Sequence, residues 1–321
     1  MQTRYLVVLF LLFTLAFVGY GYYRTTSDDQ GGAMPAVASG ADETADTMPA
    51  PTASTPGVPS PTSSQLPKLS PNPGAASQLC VANLATRALL RNRRDAIVVE
   101  FEIVGPGQKQ VIVRGLGPSL LQQGVSRAIS NPSVALRQGA RLIAQNDNYT
   151  GDTGEGALAG SLVPPRSEEA GLVTSLGAGR YAAVLEPGDD VPGIGLLDIY
   201  VMGGDVNTRA ASLAVEANAA MEEDVLLVSI GMGPCAAEGT VTTRAPISGS
   251  GNSVLADANV TLVTEGKAVI GGDNWPPGLA RPAGYRATDA RFSYGFKPGG
   301  AYVLFVDGKK SEGRIRLELG G

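Results

Sequence analysis

Asn146-Asp-Asn-Tyr-Thr-Gly-Asp-Thr-Gly-Glu155 is where residue type and spacing come closest to chemistry. Asp147, Asn148, Asp152 and Glu155 set oxygen donors along a glycine-rich loop. Calcium takes about six to eight such oxygens, so these residues amount to a partial calcium shell, and calcium is the one cofactor the sequence suggests. Their order departs from that of an EF-hand. The competing assignment is a turn in which Asp147 or Asn148 bonds its own backbone while Tyr149 packs as an anchor. Tyr149 and Trp275, the sole tryptophan, are also candidates for stacking on a sugar, with burial as the alternative.

Other chemistry is narrowed by composition. The chain has no histidine, which removes Ser-His-Asp and Cys-His activation and every His-dependent metal site. A hydrolase would need carboxylates, and these occur side by side at Glu168-Glu169, Asp189-Asp190 and Glu222-Glu223-Asp224. Neighbours on a strand face opposite ways, so adjacency does not assemble an acid–base pair, and solvated turns are the simpler assignment. No catalytic residue is assigned. Gly115-Leu-Gly-Pro118 and Gly231-Met-Gly-Pro234 resemble phosphate loops, but no fingerprint glycine completes either one and no clear helix follows. Strand-ending turns that need glycine torsion angles account for both. Arg87, Arg91, Arg93 and Arg94 form the one basic cluster, read as a solvated hairpin end. With a net charge of −5, nothing calls for nucleic acid. Cys80 and Cys235, the only cysteines, are a disulfide candidate if the chain is exported; two buried thiols are the alternative.

The elements that must carry these residues read as strands. Arg314-Ile-Arg-Leu-Glu-Leu319 alternates charged and apolar side chains, the period of a strand with one wet face. Ala96–Val104 and Gln110–Val113 flank Gly105-Pro-Gly107 and read as a hairpin. Further strands are expected at 133–137, 141–145, 180–185, 195–201, 225–230, 259–263, 268–272, 301–306 and 313–319, with a short helical turn at 168–176. Short strands punctuated by Gly and Pro favour antiparallel sandwiches.

The order of landmarks repeats. Val111–Ser119 answers to Leu227–Cys235, Pro132–Leu136 with Asn146–Tyr149 to Ala258–Leu262 with Gly272–Trp275, and Gly179–Tyr181 to Gly300–Tyr302. A period of more than a hundred residues means two tandem domains, 79–204 and 205–321, the second degenerate and without a counterpart of the 96–113 hairpin.

Asn83-Leu-Ala-Thr-Arg87, Val111-Ile-Val-Arg-Gly-Leu-Gly-Pro-Ser-Leu120, Asn146-Asp-Asn-Tyr149 and Gly193-Ile-Gly-Leu-Leu-Asp-Ile-Tyr200 follow one another. As an ordered set they resemble a β-rich module, often in tandem, of large secreted and surface proteins of bacteria. There the pattern runs Asn-Leu-Ser-Thr-Arg, Val-Leu-Ile-Arg-Ala-x-Gly-Pro-Ser-Leu, Asn-Asp-Asn-Trp and Gly-x-x-Leu-x-Glu-x-Tyr. The resemblance spans residues 79–203; Ala85 and Asp198 depart from it. It implies an exported fold and transfers no catalytic residue.

Upstream, Tyr5–Tyr23 is apolar and uncharged. As a helix it would span about 28 Å, close to a bilayer's hydrocarbon core. Residues 1–26 are therefore expected to be a single-pass membrane anchor with the N-terminus cytoplasmic, a cleaved signal peptide followed by secretion being the alternative. Residues 27–78, with nine prolines and no aromatic residue, read as a disordered linker. The expectation is an all-β chain: an anchor, a linker and two tandem antiparallel β-sandwich domains outside the cytoplasm. Its expected work is non-enzymatic, a structural or adhesion-like interaction with a protein or glycan of the cell envelope. A glycan- or calcium-binding surface domain is the first alternative, and a carboxylate-based hydrolase the second.

Overall fold

The computed structural model describes residues 79–151, 158–220, 224–235, 237–246, 253–308 and 311–320. The anchor expected at 5–23 and the linker expected at 27–78 lie outside these residues. Among the described residues no helix is long and apolar enough to cross a membrane.

The described chain is all-β and antiparallel. Its first half carries β1 (Val81–Leu90), β2 (Ile97–Val104), β3 (Lys109–Leu116), β4 (Pro132–Gln138), β5 (Arg141–Asn146), β6 (Ala170–Leu176), β7 (Gly179–Pro187) and β8 (Gly193–Met202). Its second half carries β9 (Arg209–Ala219), β10 (Leu226–Met232), β11 (Ala237–Arg244), β12 (Ala258–Thr264), β13 (Lys267–Gly272), β14 (Arg291–Phe296), β15 (Ala301–Gly308) and β16 (Gly313–Gly320). One short helix, α1 (Pro118–Gln122), follows β3.

The strands form two runs, β13-β12-β15-β10-β1-β8-β3-β6 and β5-β4-β7-β2-β9-β16-β11-β14. A single register pair, Val81 with Ala210, joins β1 to β9 and so one run to the other. Each run draws strands from both halves, so the hydrogen-bonded sheets pass unbroken across the linker between β8 and β9. One apolar cluster takes Leu84, Val113 and Ile199 from the first run and Val99, Leu185 and Val215 from the second. Burying each such side chain is worth about 1.5–3 kcal/mol, so this shared core is the main stabilising term.

The pairing list repeats with an offset of eight strands. Within the first half β1 pairs β8, β3 pairs β8 and β6, β7 pairs β2 and β4, and β4 pairs β5. Within the second half β9 pairs β16, β11 pairs β16 and β14, β15 pairs β10 and β12, and β12 pairs β13. Exchanging the halves turns the crossing pair β1–β10 into β9–β2, which also exists. The pairing pattern is therefore two-fold symmetric.

This offset corrects part of the expected alignment. The matches of 132–149 with 258–275 and of 179–181 with 300–302 place β4, β5 and β7 on β12, β13 and β15, in step with the topology. The match of 111–119 with 227–235 places β3 on β10, whereas the pairing places β3 on β11 and β2 on β10. Both runs are apolar and end in Gly-x-Gly-Pro, and local similarity outweighed strand order. The second half accordingly has its own counterparts of β2 and β3. Nor do β2 and β3 form a hairpin: β2 pairs β7 and β9, β3 pairs β6 and β8, and the chain changes sheet at Gly105–Gln108. The helical turn expected at 168–176 is strand β6 from Ala170 onward.

The glycines of the two Gly-x-Gly-Pro stretches are not there for torsion angles, since none of the four has a positive φ. They are there for close approach. A Cβ on Gly115 would stand 2.6 Å from Cγ1 of Val134 and 2.7 Å from Cδ1 of Leu185, both fully buried. Gly115→Ala should therefore lower stability by about 1–3 kcal/mol through overpacking. A urea denaturation midpoint equal to that of the parent chain would show that the core gives way freely there.

Cys80, next to β1, is bonded to Cys235, just after β10, with Cα atoms 6.0 Å apart. The backbone amide of Cys235 donates to Cys80 Sγ at 3.1 Å, and that of Gly233 donates to the Cys80 carbonyl at 2.7 Å.

Candidate functional site

Four adjacent strands, β2, β9, β16 and β11, build the floor of a cleft of about 470 Å³. Register sets its chemistry. One row across these strands reads Glu100, Ala214, Glu318, Thr242. The row two residues away reads Val98, Glu216, Arg316, Arg244. Same-face neighbours in a sheet lie within side-chain reach, so the two rows interleave acids with guanidinium groups. Ala214 at the centre of its row supplies little bulk, and the cleft opens over it. Trp275, Pro282 and Tyr285, from the connection between β13 and β14, form one wall. Arg180 on β7 and Arg291 on β14 also line it.

Arg316 is the hub. Its guanidinium donates to Glu100 at 2.7 Å, to Glu216 at 3.1 Å and to Glu318 at 2.7 Å. Arg244 donates twice to Glu318, at 2.6 and 2.9 Å, and lies over the Tyr285 ring. The Tyr285 hydroxyl donates to the other Glu318 oxygen at 2.7 Å. Arg180 faces Glu102 at 3.6 Å, and Arg291 stacks on the Trp275 ring at 5.0 Å. One atom is left over: Oε1 of Glu100 is buried and accepts no hydrogen bond within the described residues. An ionised oxygen in that state is costly unless something donates to it.

Burial alone would raise the Glu318 carboxyl. Hydrogen bonds from Arg316 and Tyr285 and the charges of Arg316 and Arg244 outweigh it and hold the group below its ordinary 4.5. A carboxyl depressed in the folded state contributes stability above its unfolded pKa and loses it as pH falls through the folded value. Glu318→Gln should therefore shallow the loss of stability between about pH 5 and 3. Urea midpoints at neutral and acid pH check this; the same fall in both proteins would rule out Glu318 as a source of the acid sensitivity.

The corresponding position in the first half is plugged. Asp198 stands five residues into β8 as Glu318 does into β16. Arg114 binds Asp198 at 2.6 and 3.0 Å, the Tyr200 hydroxyl at 3.1 Å and the Ser161 carbonyl at 2.8 Å. Arg114 and Asp198 are both about 3% exposed, and Tyr149, Leu158 and Leu162 pack over the same face. The connections that cover the two faces share a motif. The Arg166 amide donates to Glu169 and the Arg286 amide to Asp289, three residues on in each case.

Of the residues proposed from sequence, Asp147 and Asn148 are exposed beyond β5, and Asp152 and Glu155 lie outside the described residues. Among the described residues no group of three or more His, Cys, Asp and Glu is placed to hold a metal ion. The turn bonds here belong to Asn146, whose side chain donates to the Asn148 carbonyl and accepts from the Gly171 amide. Tyr149 is 8% exposed, and its hydroxyl accepts from the Leu158 amide at 2.8 Å, so it anchors the loop and presents no ring face to a ligand. Trp275 is equally buried, its Nε1 donating to the Leu279 carbonyl, yet it borders the cleft.

Other expectations change with burial. Glu169, read as a solvated turn residue, is fully buried; one oxygen accepts from the amides of Gly117 and Ser119 and from the Ser119 hydroxyl, fixing the start of α1. Arg87 is buried in β1, Arg91 pairs with Glu312, and Arg93 and Arg94 are exposed in the turn before β2, so the basic cluster is not one surface. The charged side of β16 is not wet: Arg314 and Arg316 are 1% and 3% exposed. The cleft residues Glu100, Arg244, Tyr285, Arg316 and Glu318 escaped the sequence reading. The signal was the alternation Arg314-Ile-Arg-Leu-Glu-Leu319, whose charges had no visible partners in the sequence.

No family model and no curated protein matches the chain. Among solved structures, it is similar to a vicilin from Solanum melongena at 6% identity, covering 74% of this chain and 75% of that one, with a TM-score of 0.18. A vicilin from Corylus avellana (hazelnut) matches at 6% identity over 76% of this chain and 82% of that one, with a TM-score of 0.17. Likeness at this level carries no argument about either the fold or its use.

Proposed function

We propose that this chain is a non-enzymatic binding module of the cell envelope, held to the membrane by residues 5–23 and raised on the 27–78 linker. Its head is read as two tandem antiparallel sandwich units, 79–204 and 205–321, fused through shared sheets. The observation that carries the reading is the cleft over Ala214: its guanidinium groups and carboxylates are bound to one another on rigid strands, an arrangement suited to holding a ligand. The cystine between Cys80 and Cys235 supports an oxidising compartment, and the resemblance to modules of secreted and surface proteins supports the same address.

Treating intact cells that carry the full chain with a membrane-impermeant amine reagent tests the address. Lys267 and Lys297 are exposed on the head and should be modified in protein recovered from the membrane fraction. A head left unmodified until the cells are broken, or a chain recovered with reduced cysteines in the cytosol, would overturn the proposal.

A further inference from the structure

We infer that the cleft over Ala214 is a site for a neutral oligosaccharide. The inference rests on the binding-module reading and goes further by naming the ligand class and the groups that meet it.

Three observations point to that class. The first is the orphaned acceptor. Glu100 is 7% exposed and lines the cleft, and one of its oxygens is taken by Arg316 while the other has no donor within the described residues. That oxygen is closed to water, and a ligand hydroxyl that reached it would supply the missing donor. The second is charge. Arg180, Arg244, Arg291 and Arg316 line the cleft with Glu100, Glu102 and Glu318, and the fully buried Glu216, bound to Arg316, brings the carboxylates to four. A strongly anionic or cationic ligand would leave this balance with unpaired charge, whereas a neutral one does not.

The third is the alternation of donors and acceptors. Guanidinium groups only donate and carboxylates only accept, while a sugar hydroxyl does both, so a polyhydroxylated chain can answer each in turn. The hydroxyls of Thr240 and Thr242 add further two-way partners, and the half-buried Tyr285 ring, packed 5.2 Å from the buried Trp275 ring, supplies apolar surface for the C–H groups of a sugar. The volume, about 470 Å³, lies within the usual range of small-ligand sites.

Trp275 is the chain's sole tryptophan and borders the cleft, so its fluorescence reports occupancy without a label. The full chain would be titrated with maltohexaose, cellohexaose and chitohexaose, and with oligogalacturonate as an acidic comparison, calorimetry running alongside. A saturable change with at least one neutral hexaose is expected. Glu100→Gln and Arg291→Ala should each weaken that binding about tenfold, the worth of one charge-assisted hydrogen bond. Asp147→Ala, on an exposed loop, should leave it unchanged. Arg291 lines the cleft and makes no ion pair with the buried acids, so its variant keeps the test usable if Glu100→Gln is unstable.

Neither signal nor heat with any neutral hexaose, binding of the acidic oligomer alone, or undiminished affinity in both cleft variants would overturn the ligand assignment. The envelope labelling result would stand apart from that outcome. The bound sugar would also be recovered and sized: an intact hexaose supports a binding role, and a shortened one overturns the non-enzymatic reading while the ligand class survives.

Discussion

Arg316→Leu should remove about 3–5 kcal/mol from the stability of the folded chain, because it strips a shared counter-charge from three carboxylates at once. Glu216 is fully buried, Glu100 is 7% exposed, and the side chain of Glu318 is 21% exposed, so solvent cannot replace what the guanidinium supplies. The size of the effect comes from the charges left behind. The bridges themselves add little, since burying an ion pair costs about as much as its attraction returns. A second substitution separates these terms. Arg316→Leu combined with Glu216→Leu should recover part of the loss by removing one of the stranded charges. Chemical denaturation of the parent chain, Arg316→Leu, Glu216→Leu and the double variant measures the coupling. A loss under about 1 kcal/mol for the single variant would place the network in the class of screened surface pairs, against its burial.

The second large effect is the cystine. Closing a loop across a sequence separation of 155 residues restricts the unfolded ensemble by about 5 kcal/mol on chain-entropy scaling, near the upper end of what such bonds contribute. Cys80→Ser with Cys235→Ser should therefore lower Tm markedly, and reductant should do the same to the parent chain. The magnitude follows from topology, because the bond joins the first strand of one half to the loop after the second strand of the other. A Tm insensitive to both treatments would mean that the shared core already imposes the constraint.

Much of the strand content was legible because it is local. Residues 133–137, 141–145, 180–185 and 195–201 carry their own alternation and turn residues, and each lies within one strand of the fold. Strand β9 was not legible. Arg-Ala-Ala-Ser-Leu-Ala-Val-Glu-Ala-Asn-Ala is rich in alanine, whose intrinsic preference is helical, and only burial between β2 and β16 makes it a strand. The cleft was hidden for a related reason. Arg316 meets Glu100 across 216 residues and Glu216 across 100, and no local period encodes such distances. An alternating charged strand looks the same whether its polar face meets water or other charges. Strand order was equally out of reach, and two apolar runs ending in Gly-x-Gly-Pro were matched although they occupy different places in the topology.

The position of Cys80 decides how the head would meet a mechanical pull. Tension drawn through the N-terminal segment arrives at Leu79 and, one residue on, divides at a covalent fork: part continues along the backbone into β1, and part crosses the sulfurs to the loop after β10. Strand β1 is bonded along both flanks, to β8 and to β10, so a pull directed along its axis would load both ladders at once. Both halves then resist as one body, and reduction of the cystine would convert a shared resistance into that of a single strand.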